Sequence, residues 1–217
     1  MKYRAVIFDL DGTLLDTLAD LLEAVNHGLT RLGFPLHRAE EFKYFVGEGR
    51  EVMASLSLPE DHRDQSTVSR LSQYIDEYYA QHWTEHTRPY PGIPELLNAL
   101  TLKGIRMAVL SNKPHNFTEM NIATLLAQWH FEAVMGAMPL VPKKPDCTAA
   151  LKITRQLDID PSFFIYLGDS DIDMKTAVNA GMYPVGALWG FRTAEELTAA
   201  GAKKLIERPT CLLELLN

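Results

Sequence analysis

Cysteine is nearly absent. Cys147 and Cys211 are the only two in 217 residues, too few for a disulfide framework and not spaced to hold zinc. No apolar run approaches the roughly 18 residues of a membrane span. Positive charge is also short. The 21 Lys and Arg against 28 Asp and Glu leave a formal charge of -7, which argues against nonspecific binding to nucleic acid or to an anionic membrane. The histidines at 27, 37, 62, 82, 86, 115 and 130 fall in no metal-ligand spacing. There is no internal repeat and no low-complexity tract. The first apolar run, Val6-Ile7-Phe8, is cut by Asp9, unlike a secretory leader, so a reducing, cytoplasmic setting is expected. The length allows one or two domains, and 47% hydrophobic residues suffice for a substantial core.

The most informative stretch is Val6-Ile7-Phe8-Asp9-Leu10-Asp11-Gly12-Thr13-Leu14-Leu15-Asp16-Thr17. A short apolar run without alternation suits a strand buried on both faces. It ends in two carboxylates. Residues two apart on a strand share a face, so Asp9 and Asp11 point the same way where the strand stops. Gly12 then lets the backbone turn sharply.

Downstream, Leu18, Leu21, Leu22, Val25, Leu29 and Leu32 recur at helical spacing, and Gly33 and Pro35 end that helix. The loop Val46-Gly47-Glu48-Gly49-Arg50 leads into a short helix to about Leu58. Pro59 is placed to start a longer one, whose apolar stripe is Tyr74, Ile75, Tyr78, Tyr79 and Trp83. Residues 17–86 thus read as an all-helical insert. From Tyr90 the rhythm changes. Apolar runs at 105–110, 133–136, 163–167, 183–188 and 205–206 alternate with helical segments at 93–102, 116–129, 145–157, 171–180 and 193–199. Alternation of this kind predicts a doubly wound, Rossmann-like α/β core with a parallel sheet, made of residues 1–16 and 87–217. In such sheets the ligand crevice lies outside the carboxyl ends of the strands. Three strand ends carry polar residues suited to chemistry: Asp9/Asp11, Ser111/Asn112 and Asp169.

Asp9-x-Asp11-Gly12-Thr13 resembles the first motif of the haloacid dehalogenase-like hydrolases. Ser111 resembles their second, Lys144-Pro145 their third, and Gly168-Asp169-Ser170-x-x-Asp173 their fourth. The resemblance covers nearly the whole chain. It is most similar to the phosphoglycolate phosphatase subgroup, through Tyr90-Pro91-Gly92-Ile93-Pro94-Glu95, Ser111-Asn112-Lys113-Pro114 and Trp189-Gly190-Phe191-Arg192. The chain departs from the family pattern in two places. Cys147 stands where a second Pro often follows the lysine motif. Leu56-Ser57 stands where many relatives carry an Arg in the short cap helix.

The resemblance implies a helical cap at 17–86 and assigns Asp9 as nucleophile and Asp11 as general acid/base. The true dehalogenases lack the second Asp, so its presence implies phosphoryl transfer. Asp9, the backbone carbonyl of Asp11, and Asp169 are the implied Mg²⁺ ligands, a hard oxygen set that suits this ion. Asp173 stands behind them, steering metal-bound water. Lys144, by its register before Pro145, binds the phosphoryl oxygens and offsets the acids, although Lys143 is a rival by composition. Ser111, Asn112 and the turn amides hold phosphoryl oxygens. Arg50 is the fixed positive charge of the cap loop, placed to take a substrate carboxylate. Lys43 is the only lysine of the insert and lies in no pattern that suggests Schiff-base chemistry.

The expected activity is Mg²⁺-dependent hydrolysis of a small, phosphoglycolate-like phosphomonoester through an aspartyl-phosphate. A sugar-phosphate mutase or a phosphatase for another small metabolite could use the same core. A non-catalytic binding protein is the remaining alternative, and the intact Asp9, Asp11, Lys144 and Asp169 argue against it. The expected partner is a small phosphorylated metabolite, with no nucleic acid and no membrane, and the chain is expected to act as a monomer or homodimer.

Overall fold

The computed structural model describes residues 2–216. In chain order the elements are β1 (Ala5–Phe8), β2 (Leu15–Asp16), α1 (Leu18–Leu32), α2 (Ala39–Phe42), α3 (Arg50–Ser57), α4 (Gln65–His82), β3 (Arg88–Pro89), α5 (Ile93–Leu102) and β4 (Arg106–Pro114). They continue with α6 (His115–Leu125), β5 (Ala133–Ala137), α7 (Thr148–Leu157), β6 (Phe164–Gly168), α8 (Asp171–Asn179), β7 (Tyr183–Ala187), α9 (Ala194–Ala199) and β8 (Lys204–Ile206). Short 3₁₀ turns occupy Glu60–His62, Pro161–Phe163 and Pro209–Leu216. The chain divides into two compact units. One runs to Leu15 and resumes at Pro89; the other is Asp16–Arg88.

The first unit is a doubly wound α/β fold. Its six strands are ordered β5-β4-β1-β6-β7-β8, and neighbouring strands pair in parallel. β1 lies at the centre, with Phe8 opposite Val109 on one side and Leu167 on the other. All four of its residues are buried, because alternate side chains feed two separate cores. Val6 and Phe8 join a cluster with Leu96, Leu97, Val109, Ile165 and Leu167. Ala5 and Ile7 join another with Leu110, Ile153, Phe164 and Tyr166. Burial on both faces removes the polar alternation a half-exposed strand would show. The chain leaves β1 for β4 on one side and later crosses to β6 on the other, so the strand order reverses at β1. That reversal opens a crevice at the carboxyl ends of the strands.

The second unit is helical. α1 buries Leu21, Ala24, Val25 and Leu29, and α4 buries Val68, Leu71, Ile75 and Tyr79. At Gly28 a Cβ would stand 2.7 Å from Leu71 Cδ1, so the missing side chain permits the close approach of α1 to α4. The long helix begins at Gln65, later than Pro59 suggests. Asp64 accepts hydrogen bonds from Ser66 N and Thr67 N, a stronger N-terminal cap than proline offers, and Pro59 precedes only the 3₁₀ turn. Among the described residues, no helix is long and apolar enough to cross a membrane.

Candidate active site

The carboxyl ends of β1, β4 and β6 bring most of the expected residues into a network of contacts built separately around Asp9, Asp11 and Asp169. Asp9 follows β1 directly and is 6% exposed. Its Oδ1 accepts from Leu10 N at 2.7 Å and lies 2.8 Å from Lys144 Nζ. The same ammonium donates to Asp173 Oδ1 at 2.7 Å. Asp173 Oδ2 accepts from Ser170 N at 3.1 Å, in the capping box that opens α8. Lys144 is therefore the buried cation that ties the β1 carboxylate to the start of α8.

Asp169 follows β6 and is 1% exposed. Thr13 Oγ1 donates to its Oδ1 at 2.8 Å, and Phe191 N donates to its Oδ2 at 2.9 Å. Two glycines make room for it. A Cβ on Gly12, whose φ is +82°, would meet Asp169 Oδ2 at 2.3 Å, and one on Gly190 would meet Asp169 Cβ at 2.2 Å. Glycine at 12 is thus required twice, by the left-handed turn and by the backbone's close approach to the acid.

β4 runs on to Pro114, past the Leu110 end that its apolar run suggests. Its pairing with β5 shifts register between Leu110 and Pro114, an irregularity of the kind that re-aims side chains next to sites. Ser111 and Asn112 lie on this stretch, each 4% exposed. Ser111 Oγ accepts from Lys113 N at 3.2 Å. The Asn112 amide clamps the lysine loop, donating to Lys144 O at 3.0 Å and accepting from Lys144 N at 2.9 Å. Lys113 Nζ donates to Asp11 Oδ1 at 3.0 Å and to Oδ2 at 3.4 Å.

Arg50 is not part of this network. It is the first residue of α3 in the helical unit, where its guanidinium pairs with Asp76 and lies 3.9 Å from Glu51 Oε1. Burial raises the Asp76 carboxyl above its usual range despite the Arg50 charge.

Electrostatics mark the core site as strained. Burial pushes Asp9 well above the usual carboxylate range, and the Asp173 charge adds to this against the pull of Lys144. Burial and then Asp173 push Asp169 up to about 7, opposed by the Phe191 N–H and the Thr13 hydroxyl. Burial would lower the Lys144 ammonium, but the Asp173 and Asp9 carboxylates outweigh it and hold the group well above its usual value. One ammonium does not neutralise three buried acids. Asp9, Asp169 and Asp173 each offer an oxygen, all within 4.8 Å of one another. Such a cluster of hard, crowded, desolvated oxygens fits a small divalent cation.

Lys113, Thr13 and Phe191 N were not picked out as site groups by sequence reasoning. For Lys113 a signal existed: it stands two residues after Ser111 at a strand end, and so has the same parity. For Thr13 and Phe191 only the folded backbone reveals the role.

A family model for haloacid dehalogenase-like hydrolases matches residues 6–187. The chain belongs to that family, and within it to the phosphoric monoester hydrolases. A phosphoglycolate phosphatase of Pseudomonas putida is 32% identical over 97% of this chain and 78% of its own length. An N-acetylmuramic acid 6-phosphate phosphatase of Pseudomonas aeruginosa is 31% identical over 100% and 96%. A solved structure from Lactobacillus delbrueckii subsp. bulgaricus, provisionally called a phosphoglycolate phosphatase, superposes with a TM-score of 0.92 at 32% identity, covering 100% of this chain and 99% of that one.

Proposed function

We propose that the protein hydrolyses a small carboxylated phosphomonoester, of the phosphoglycolate type, with Mg²⁺ and through an aspartyl-phosphate. The observation that carries this reading is the Asp9 carboxylate, anchored at the strand-order reversal by Leu10 N and Lys144. Anchoring one oxygen fixes the carboxylate plane, as in-line attack requires. Asp9 forms a bond to phosphorus while the ester P–O bond breaks, and Asp11 gives its proton to the departing alkoxide. Asp11 then takes a proton from water, whose oxygen attacks phosphorus. The Asp9–phosphorus bond breaks and inorganic phosphate leaves. Ser111 and the turn amides hold phosphoryl oxygens, and Asn112 keeps Lys144 in place through its backbone. Asp9, Asp169 and the backbone carbonyl of Asp11 would hold Mg²⁺, with Asp173 behind them; when bound, the ion supplies charge neutralisation to the phosphoryl oxygens. The helical unit serves as a cap that excludes water during the first step.

Relatives from both named groups act, by their names, on phosphate esters of carboxylic acids, which supports a carboxylated substrate over a neutral sugar phosphate. The test is a panel of phosphoglycolate, N-acetylmuramic acid 6-phosphate and an aryl phosphate, assayed with Mg²⁺ and with excess chelator. Turnover should stop in chelator and return with Mg²⁺. An acid-quenched, hydroxylamine-sensitive phosphoenzyme should form in wild type and not in Asp9→Asn. Wild-type rates in a folded Asp9→Asn variant would end the aspartyl-phosphate mechanism.

A further inference from the structure

Among the described residues the buried lysines are Lys113 and Lys144. Lys144 is bonded to Asp9 and Asp173. Lys113 has a different partner, and nothing in the mechanism above uses it. A lysine ammonium is costly to bury unless it meets a counter-charge. Here the side chain is 4% exposed and faces both oxygens of Asp11, at 3.0 and 3.4 Å. The backbone that carries it is pinned from several sides. Lys113 N donates to Ser111 Oγ at 3.2 Å, and Thr118 Oγ1 donates to Lys113 O at 3.2 Å. On the neighbouring strand only glycine fits at 136, since a Cβ there would stand 2.7 Å from Lys113 O. The register shift of β4 falls on this stretch. The fold thus invests several separate contacts in one ammonium position.

We propose that Lys113 is the positioning residue of the acid/base group: it holds the Asp11 side chain in one rotamer, so that the same carboxyl meets the leaving oxygen when protonated and, later, the attacking water when ionised. The inference rests on the acid/base role of Asp11 proposed above. A carboxylate at the end of a rotatable side chain must stay within hydrogen-bond reach of two successive oxygens, and a charge-assisted contact fixed by a rigid strand supplies that placement. A lysine with a purely structural role would support the fold without favouring either class of leaving group.

The test compares an alkyl and an aryl phosphate at saturating Mg²⁺. Lys113→Met keeps the straight chain and removes the charge. It should lower kcat for the alkyl ester by about 10- to 100-fold, the range of a lost charge-assisted hydrogen bond, with a clearly smaller loss on the aryl ester and little change in KM. Lys113→Arg should recover part of the loss. In an Asp11→Asn background, Lys113→Met should cost nothing further, because a residue that acts through Asp11 has nothing left to position. If Lys113→Met alone does not fold, the double variant, which removes both charges of the ion pair, and Lys113→Arg carry the test. Equal losses on both esters, an additive loss in the Asp11→Asn background, or a rise in KM confined to carboxylated substrates would each overturn the proposal. The controls separate it from the reading beneath it. If Asp11→Asn shows no preference between leaving groups, the acid/base assignment falls and takes this inference with it. If Asp11→Asn discriminates and Lys113→Met does not, only the Lys113 inference falls.

Discussion

Asp169→Asn should make the protein more stable at neutral pH in chelator while removing its activity. The argument starts from the carboxyl of Asp169, which burial and the neighbouring Asp173 raise from 3.8 to about 7. A raised carboxyl binds its proton more tightly in the folded state than in the unfolded one. The contribution of Asp169 to wild-type stability therefore falls as pH climbs from about 4 to about 7, and no cost from this group is felt below that window. At about 1.4 kcal/mol for each tenfold change in proton affinity, ionised Asp169 costs the folded state up to about 4 kcal/mol.

Asparagine removes that charge at little expense in hydrogen bonds. Its carbonyl oxygen can still accept from Phe191 N, as Asp169 Oδ2 does. Its amide can donate to Thr13 Oγ1, because a hydroxyl that now donates to Asp169 Oδ1 can turn and accept instead. The expected net gain is about 2–4 kcal/mol at pH 7.5, on the order of a 5–10 °C rise in melting temperature for a chain of this size. At pH 4 the two proteins should melt together. Mg²⁺ should raise the melting temperature of wild type and leave the variant nearly unmoved, because the variant lacks one of the ligands proposed above. Denaturant or thermal melts in excess chelator at the two pH values read this directly. A variant less stable than wild type at pH 7.5, or a difference independent of pH, would refute the reasoning.

Two further outcomes test the helical unit. Asp20, 2% exposed on α1, accepts from His86 N at 2.9 Å, Thr87 N at 2.8 Å and Thr87 Oγ1 at 2.6 Å. Asp20→Ala strands those donors and should cost about 3 kcal/mol, with the amides of His86 and Thr87 losing protection first in hydrogen exchange; unchanged protection there would show the contacts to be idle. Arg50→Ala should lower kcat/KM for phosphoglycolate by about 1.5–3 kcal/mol and leave an aryl phosphate little changed, whereas equal effects on both substrates would reduce Arg50 to its ion pair with Asp76.

The parts of the fold that the sequence made legible are those where burial leaves a strong pattern. β1 was readable because both its faces feed cores, giving an unbroken apolar run that stops at Asp9. α1 was readable because its stripe is wide and Gly33 ends it in the left-handed conformation. Short elements carry no such pattern. α2 spans only four residues, β2 and β3 two each, and the terminal 3₁₀ turn at Pro209–Leu216 reads in sequence as an undirected apolar run. Boundaries moved wherever a side chain outbid a proline. α7 begins at Thr148, past Pro145, where Asp146 Oδ1 accepts from Thr148 N at 2.7 Å.

The site divides along a similar line. Asp9, Asp11 and Asp169 stand out in sequence because charged residues that end apolar strands have few structural reasons to be there. The lysines stand out less. Lys113, Lys143 and Lys144 are alike in composition; the register before Pro145 favours Lys144 over Lys143, and the partners of Lys113 and Lys144 show only in the folded chain. Asn112 grips the Lys144 backbone from both sides, and that grip delivers the ammonium to Asp9 and Asp173. Lys113 meets Asp11 from the stretch of β4 where the pairing with β5 shifts register. That shift leaves no trace in hydrophobic periodicity, because Ser111, Asn112 and Lys113 are polar and buried at once. Residues of that kind contradict the pattern that predicts burial. Their assignment had to wait for the partners that compensate them.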